Sequence, residues 1–220
     1  MVLTANSHTS ELPSHAEVTS RNVPTVARFG WTERILHWWV VSMYIAALLT
    51  GLAMGSEMES GTLFTSHVVT VALIGVGVVV ALVFGNTRAV LRSIWDLFFF
   101  HRVDVSWCVN LVRHPLRRGS HTRWGKFNIG QKLLAWSLLG SAAYLVVTGI
   151  NSWQTGGDSS GPHSTAIVLS LVLLGSHVFM ALINPSTRPA LSGMVFGRVR
   201  RSWAAKHHAG WLAEQESRGL

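Results

Sequence analysis

Four stretches without a single Asp, Glu, Lys or Arg, each long enough to cross a bilayer, constrain this chain more than any other feature. They are Ile35–Met54, Thr62–Gly85, Leu133–Gly156 and Ser159–Thr187. Each reaches the roughly 18–20 apolar residues that a spanning helix needs. A backbone in hydrocarbon must satisfy its own hydrogen bonds, and these stretches are too long for barrel strands, so they predict helices. The predicted fold is all-α, an integral-membrane four-helix bundle. Its spans lie near residues 35–54, 62–85, 131–152 and 163–185, within a domain of residues 28–190.

Charge sets the orientation. All 18 Lys and Arg residues fall in the N-terminal segment, between the second and third spans, or after the fourth. The two remaining connections carry only Glu57, Glu59 and Asp158. The positive-inside rule then predicts that both termini and the long loop face the cytoplasm. The net charge of +8 is therefore read first as a topology signal. Basic segments beside spans also favour anionic lipid, and no motif supports a nucleic-acid partner.

Residues 1–27 are polar, lack the apolar core of a cleavable signal peptide and read as a cytoplasmic tail, with His8 and His15 bland. Residues 191–220 read as a basic cytoplasmic tail. The single cysteine, Cys108, excludes an internal disulfide and a CxxC-type iron–sulfur or zinc site. Any cluster-bearing or active-site subunit is therefore another chain.

Of eleven histidines, four lie in or at the ends of the spans: His37, His67, His163 and His177. His163 and His177 are fourteen positions apart on one span. That is nearly four whole turns, so they share a face roughly 21 Å apart along the axis. His37 lies near the inner face and His67 near the outer face. Matching depths pairs His37 with His177 inside and His67 with His163 outside. Each pair suits a haem iron held from both sides, with no position left for substrate. A single histidine in a span is otherwise a packing residue or a proton relay; the joint geometry favours ligands. Gly75, Gly77, Ser141, Ala142, Gly175 and Ser176 leave room for a bulky cofactor or for close helix packing.

The residues also resemble a known family. Arg34-Ile35-Leu36-His37-Trp38, Gly125-Lys126-Phe127-Asn128-Ile129-Gly130-Gln131-Lys132 and His177-Val178-Phe179-Met180-Ala181 are similar to motifs of the cytochrome b (gamma) subunit of membrane-bound respiratory formate dehydrogenase. So is the ending Gly193-Met194-Val195-Phe196-Gly197-Arg198-Val199, followed by Trp203-Ala204 and Lys206-His207-His208. The resemblance runs in order over about residues 28–213. One departure is His67-Val68-Val69-Thr70, where the family pattern has a proline after the histidine.

The resemblance implies two b-type haems on the same four histidines. It also implies a quinone, ubiquinone or menaquinone, reduced beside Asn128, Gly130 and Gln131 near the cytoplasmic haem. Amide side chains can hydrogen-bond a quinone carbonyl. The spacing of Asn128 and Gln131 reads equally as a capping box that starts a helix, and one residue can do both. The implied partners are an iron–sulfur subunit and a molybdenum or tungsten formate dehydrogenase subunit outside the membrane, with a higher oligomer of the complex. The implied location is the bacterial inner membrane. Such a chain conducts electrons and does not itself oxidise formate.

Two other readings stay open: an equivalent subunit of a hydrogenase or another molybdoenzyme, and a haem-free anchor or proton-relay transporter. Elsewhere, Ser93–Val112 is too polar to span and predicts an interfacial helix or docking surface. His101, His114 and His121 read as solvated, and Arg113, Arg117 and Arg118 as topology anchors. Gly197–Trp211 reads as a basic surface helix, a subunit contact or a proton shuttle. Leu49-Thr50-Gly51 and Val147-Thr148-Gly149 echo each other too weakly to count as a repeat.

Overall fold

A computed structural model describes residues 23–54, 61–113, 124–156 and 160–219. His8, His15, His114, His121, Arg117, Arg118, Glu57, Glu59 and Asp158 lie outside the described residues.

Four long helices run where the uncharged stretches predict them: α1 Trp31–Met54, α2 Gly61–Phe84, α5 Ile129–Gln154 and α6 Ser160–Leu182. At 1.5 Å per residue each is roughly 35 Å long, enough for a hydrocarbon core of about 30 Å. Pro162 is accommodated in the first turn of α6, where its missing N–H costs no intrahelical bond. The four are apolar all round, so their outward residues face lipid. Val76, Val79, Val80 and Val83 of α2 are all exposed in the isolated chain. This is a multi-pass membrane protein.

The helices pack as two hairpins. Extensive contacts join α1 to α2 and α5 to α6, whereas few join one hairpin to the other. Within the first hairpin, Gly77 faces the indole of Trp39, whose Nε1 donates to the carbonyl of Leu73 at 2.8 Å. A methyl group at position 77 would overlap that ring.

The water-side core lies at one end of the bundle, called here the terminal end. Strands β1 (Thr25–Ala27) and β2 (Arg198–Arg200) pair antiparallel, with Val26 opposite Val199. The short helices α7 (Leu191–Phe196), α8 (Arg201–His207) and α9 (Ala209–Ser217) fold around them. Val199, Trp203, Ala204, Trp211 and Leu212 form the buried cluster. Among the described residues the ribbon is the one departure from an all-helical expectation, and it draws residues 25–27 out of the polar tail. Gly197 permits it: its φ is +78°, and its carbonyl accepts from the N–H groups of Arg28 and Phe29 at 2.8 and 3.3 Å.

The polar stretch between the second and third spans forms two helices, α3 (Thr87–Phe98) and α4 (Arg102–Arg113), rather than one. Asn86 caps α3, its side chain accepting from the N–H of Ala89 at 3.1 Å. The break at 99–101 is fastened to α5 by Lys132. Its Nζ donates to the Phe99 carbonyl at 2.8 Å and to Asp104 at 2.6 Å. Both charged side chains are buried. An ion pair removed from water needs such additional hydrogen bonds to offset its desolvation.

Candidate functional site

The four span histidines meet as two facing pairs across the gap between the hairpins. At the terminal end His37 of α1 faces His177 of α6, with ring centroids 6.2 Å apart and planes inclined by 56°. Toward the far end His67 of α2 faces His163 of α6 at 6.5 Å and 88°. These are the pairs expected from depth. The gap fits a shared metal: an imidazole nitrogen lies about 2.0–2.1 Å from a metal it binds, so two rings on one ion place their centroids roughly 6 Å apart. Among the described residues, no group of three or more His, Cys, Asp or Glu comes together. Such pairs suit an iron that brings the rest of its ligands with it.

The far-end pair is braced from behind. His67 Nδ1 lies 2.9 Å from the Ala47 carbonyl oxygen and 3.3 Å from Thr50 Oγ1. His163 Nδ1 lies 3.1 Å from Thr148 Oγ1. His37 and His177 make no side-chain hydrogen bond with any described residue; the edge of Trp38 packs on His37 at 5.3 Å.

The profile described as prokaryotic cytochrome b561 matches residues 28–197. The chain belongs to the prokaryotic cytochrome b561 family. It is 27% identical over 208 residues to the nitrate-inducible formate dehydrogenase cytochrome b556(Fdn) subunit of Escherichia coli K12, covering 87% of this chain and 92% of that protein. The cytochrome b556(fdo) subunit of the same organism is also 27% identical, over 86% of this chain and 93% of its own length. The formate dehydrogenase cytochrome b556 subunit of Haemophilus influenzae is 25% identical over 91% of this chain and 87% of its own length. These relatives agree with the resemblance carried by the sequence motifs. Membership of a cytochrome b family implies b-type haem, and the two facing imidazole pairs fit that group.

The residues singled out for quinone lie at the terminal end with His37 and His177. Asn128 Oδ1 accepts from the N–H of Gln131 at 3.0 Å, and Gln131 Oε1 accepts from the N–H of Asn128 at 3.0 Å. This is a complete capping box at the start of α5. Both side-chain NH₂ groups are left without a partner among the described residues, and nothing crowds the open side of Gly130 except Asn128 itself.

The motifs of this family converge on one cap. Arg34 Nε donates to the Met194 carbonyl at 3.2 Å, its Nη2 bonds the Val195 carbonyl, and Trp38 Nε1 donates to Met194 at 3.3 Å. The entry of α1 is thus tied to the Gly193–Gly197 turn. Lys126 Nζ bonds Glu33 at 2.9 Å and Ser93 at 2.6 Å. Burial pulls the Lys126 ammonium below its ordinary pKa, with Glu33 opposing. Burial raises the neighbouring Asp96 carboxyl, with Lys126 pulling the other way. Glu33, Ser93, Asp96 and Lys126 line a cleft of about 160 Å³.

The burial of two residues here was not foreseen from the sequence. Arg28 lies with its guanidinium 5.1 Å from the ring centre of Trp203, 5.4 Å from Phe29 and 5.8 Å from Trp211. It donates to the Lys126 carbonyl at 2.7 Å. Burial lowers its pKa to about 9, which leaves it charged at neutral pH, and three aromatic faces favour the cation. His208, assigned to a basic surface helix, is instead buried. Its Nδ1 lies 2.8 Å from the Gly125 carbonyl and its Nε2 3.4 Å from Arg28 Nη2. Burial first, then the Arg28 charge, pushes its pKa down to about 3. A carbonyl only accepts, so Nδ1 carries the proton and neutral His208 presents Nε2 to Arg28. Such a residue is a structural link between the Gly125 turn and Arg28.

Proposed function

We propose that this chain is the membrane-anchoring dihaem cytochrome b subunit of a respiratory formate dehydrogenase in a bacterial inner membrane. In this reading electrons arrive at the far end from an extracytoplasmic iron–sulfur subunit, itself served by a molybdenum or tungsten catalytic subunit. They leave to a membrane quinone, ubiquinone or menaquinone, at the terminal end. That end faces the cytoplasm, as the basic residues there favour. Two b haems, when bound, supply the one-electron relay between those ends.

The observation that carries the reading is the pair of imidazole gaps at 6.2 and 6.5 Å, fourteen residues apart on one spanning helix. His37 with His177, and His67 with His163, would hold the irons from both sides and so exclude substrate from them. The NH₂ groups of Asn128 and Gln131 would donate to a quinone carbonyl while their oxygens keep the helix capped. Gly130 between them leaves the ring room to approach. The cap formed by Arg28, Arg34, Lys126 and His208 fixes the first turns of α1 and α5, and with them the height of His37 and Asn128.

The test is a dithionite-reduced minus oxidised spectrum of the purified chain with haem quantified per polypeptide, beside His177→Ala. Two b haems, falling to one or fewer in the variant, are expected. A folded full-length chain without haem overturns the reading in favour of a proton relay or plain anchor. Copurification of a formate-oxidising subunit, rather than a hydrogenase or another molybdoenzyme, identifies the electron donor.

A further inference from the structure

The far-end histidines are held by the same device twice. In α1, Thr50 Oγ1 lies 2.8 Å from the Ala46 carbonyl and 3.1 Å from that of Ala47. In α5, Thr148 Oγ1 lies 2.7 Å from the Tyr144 carbonyl and 3.2 Å from that of Leu145. Each hydroxyl has one proton and gives it to its own helix, so toward the neighbouring imidazole it can only accept. His67 Nδ1 meets Thr50 together with the Ala47 carbonyl. His163 Nδ1 meets Thr148 together with the Leu145 backbone. The acceptors are equivalent in the two hairpins: a threonine and the carbonyl three residues before it.

The residue after each threonine completes the match. A Cβ on Gly51 would meet His67 Cε1 at 3.2 Å and Nδ1 at 3.3 Å. A Cβ on Gly149 would meet His163 Cε1 at 3.2 Å and Nδ1 at 3.5 Å. The two Thr-Gly pairs are thus the same seat, used by successive hairpins, and the weak echo in the sequence is its trace.

The seat has an electronic consequence. Surrounded by acceptors, both Nδ1 atoms must carry the proton, so both Nε2 atoms keep the lone pair for iron. A hydrogen bond given by the second ring nitrogen raises the basicity of a metal-bound imidazole. More basic ligands favour ferric over ferrous iron, which lowers the potential. His37 and His177 have no such acceptor among the described residues. We propose that Thr50 and Thr148 are positioning residues that hold His67 and His163 as strongly donating ligands and make the far-end haem the lower-potential one of the two. The inference rests on the dihaem reading. It gives a downhill direction from the far end to the terminal end, built into the ligands' own surroundings.

The test is potentiometric titration of the purified complex, in the full protein and in a His37→Ala background where only the far-end haem remains. Thr50→Val with Thr148→Val removes both hydroxyls at nearly constant shape. The lower midpoint is expected to rise, by about 59 mV for each tenfold loss of ferric preference in a one-electron couple, while the upper midpoint stays. Thr50→Ser with Thr148→Ser, which restores the acceptors, should return the original value. Retained haem with an unmoved midpoint overturns the proposal. So does a shift confined to the terminal-end haem. If the valine variant loses the far-end haem, its retention at the original midpoint in the serine variant supports the seat. Loss in both variants overturns it. A parent protein with no haem overturns the dihaem reading as well, a failure visible before any variant is made.

Discussion

Tyr44 of α1 and Ser170 of α6 hydrogen-bond side chain to side chain, and each lies seven residues from a histidine on its own helix. Seven residues are close to two turns, so Tyr44 shares the face of His37, and Ser170 sits midway between His163 and His177. Ser170 is buried. The contact is a direct tie between two hairpins that otherwise barely touch, and it lies between the two histidine pairs.

Removing that tie should loosen the hairpins without removing a ligand. Tyr44→Phe keeps the ring and deletes the hydroxyl, leaving Ser170 with a lost partner, at a cost of about 1–3 kcal/mol. The expected outcome is a lower thermal midpoint in detergent with haem content per chain unchanged. A variant that loses haem in proportion to its stability would show that the tie serves the cofactor sites directly.

The pairing of the ligands predicts a pattern of losses, not only single losses. His37→Ala and His177→Ala should each remove the same haem, and the double variant should be no worse than either alone. His67→Ala and His163→Ala should behave likewise for the other haem. Combinations across the pairs should remove both. Haem per polypeptide and reduced-minus-oxidised spectra read this non-additivity directly. Equal losses from His37→Ala with His67→Ala as from either alone would break the pairing.

The spans and the four histidines were legible because they need only composition and count: absence of charge marks the helix, and position along it marks depth. The capping box of Asn128 and Gln131 was legible because its partners are three residues apart. Arg28 and His208 were not, since they meet across 180 positions and neither carries a periodic pattern. The β1–β2 ribbon has three residues per strand, too few for an alternation to show. Nothing in the sequence linked Lys132 to its partner Asp104, 28 positions away. The motifs beginning at Arg34, Gly125 and Gly193 were visible one by one; that they build a single cap is a property of the fold alone.

Lys132 and Asp104 should be costly to break and tolerant of joint replacement. Asp104→Ala leaves a buried ammonium with the Phe99 carbonyl as its one partner among the described residues, and loss of one partner from a buried pair costs about 3–5 kcal/mol. Lys132→Met with Asp104→Leu removes both charges and should recover much of that loss. Thermal unfolding of the three proteins, with protease sensitivity of the α3–α4 segment, checks the order. A double variant as unstable as Asp104→Ala would assign the cost to packing rather than to the stranded charge.

Gly149 and Gly51 should tolerate alanine poorly, although both sit where a helix would accept it. Each new methyl group would press on an imidazole at 3.2 Å, a contact relieved by moving the ring a few tenths of an ångström. Gly149→Ala is therefore expected to weaken retention of the far-end haem on dilution or mild heating, with the terminal-end haem unaffected. Gly140→Ala is the control, because nothing lies within 4 Å of a Cβ there.

Acid should loosen the cap before it touches the bundle, and His208 sets the window. In the folded cap burial and the charges of Arg28 and His207 hold its pKa at about 3, against the pull of the Gly125 carbonyl. In an unfolded cap the imidazole titrates near its ordinary value of about 6.5. Below that value the unfolded chain accepts a proton that the folded one refuses. The stability linked to His208 is therefore complete above about 6.5 and is lost as pH falls toward 3, at roughly 1.4 kcal/mol per pH unit. Fluorescence of Trp203 and Trp211 during denaturation, taken at pH 7 and pH 5, should show the cap weakening. In His208→Asn the amide can still donate toward Gly125 but cannot titrate, so the pH-dependent part should vanish even where overall stability falls. An equal acid loss in that variant would show that His208 is not the group that sets the window.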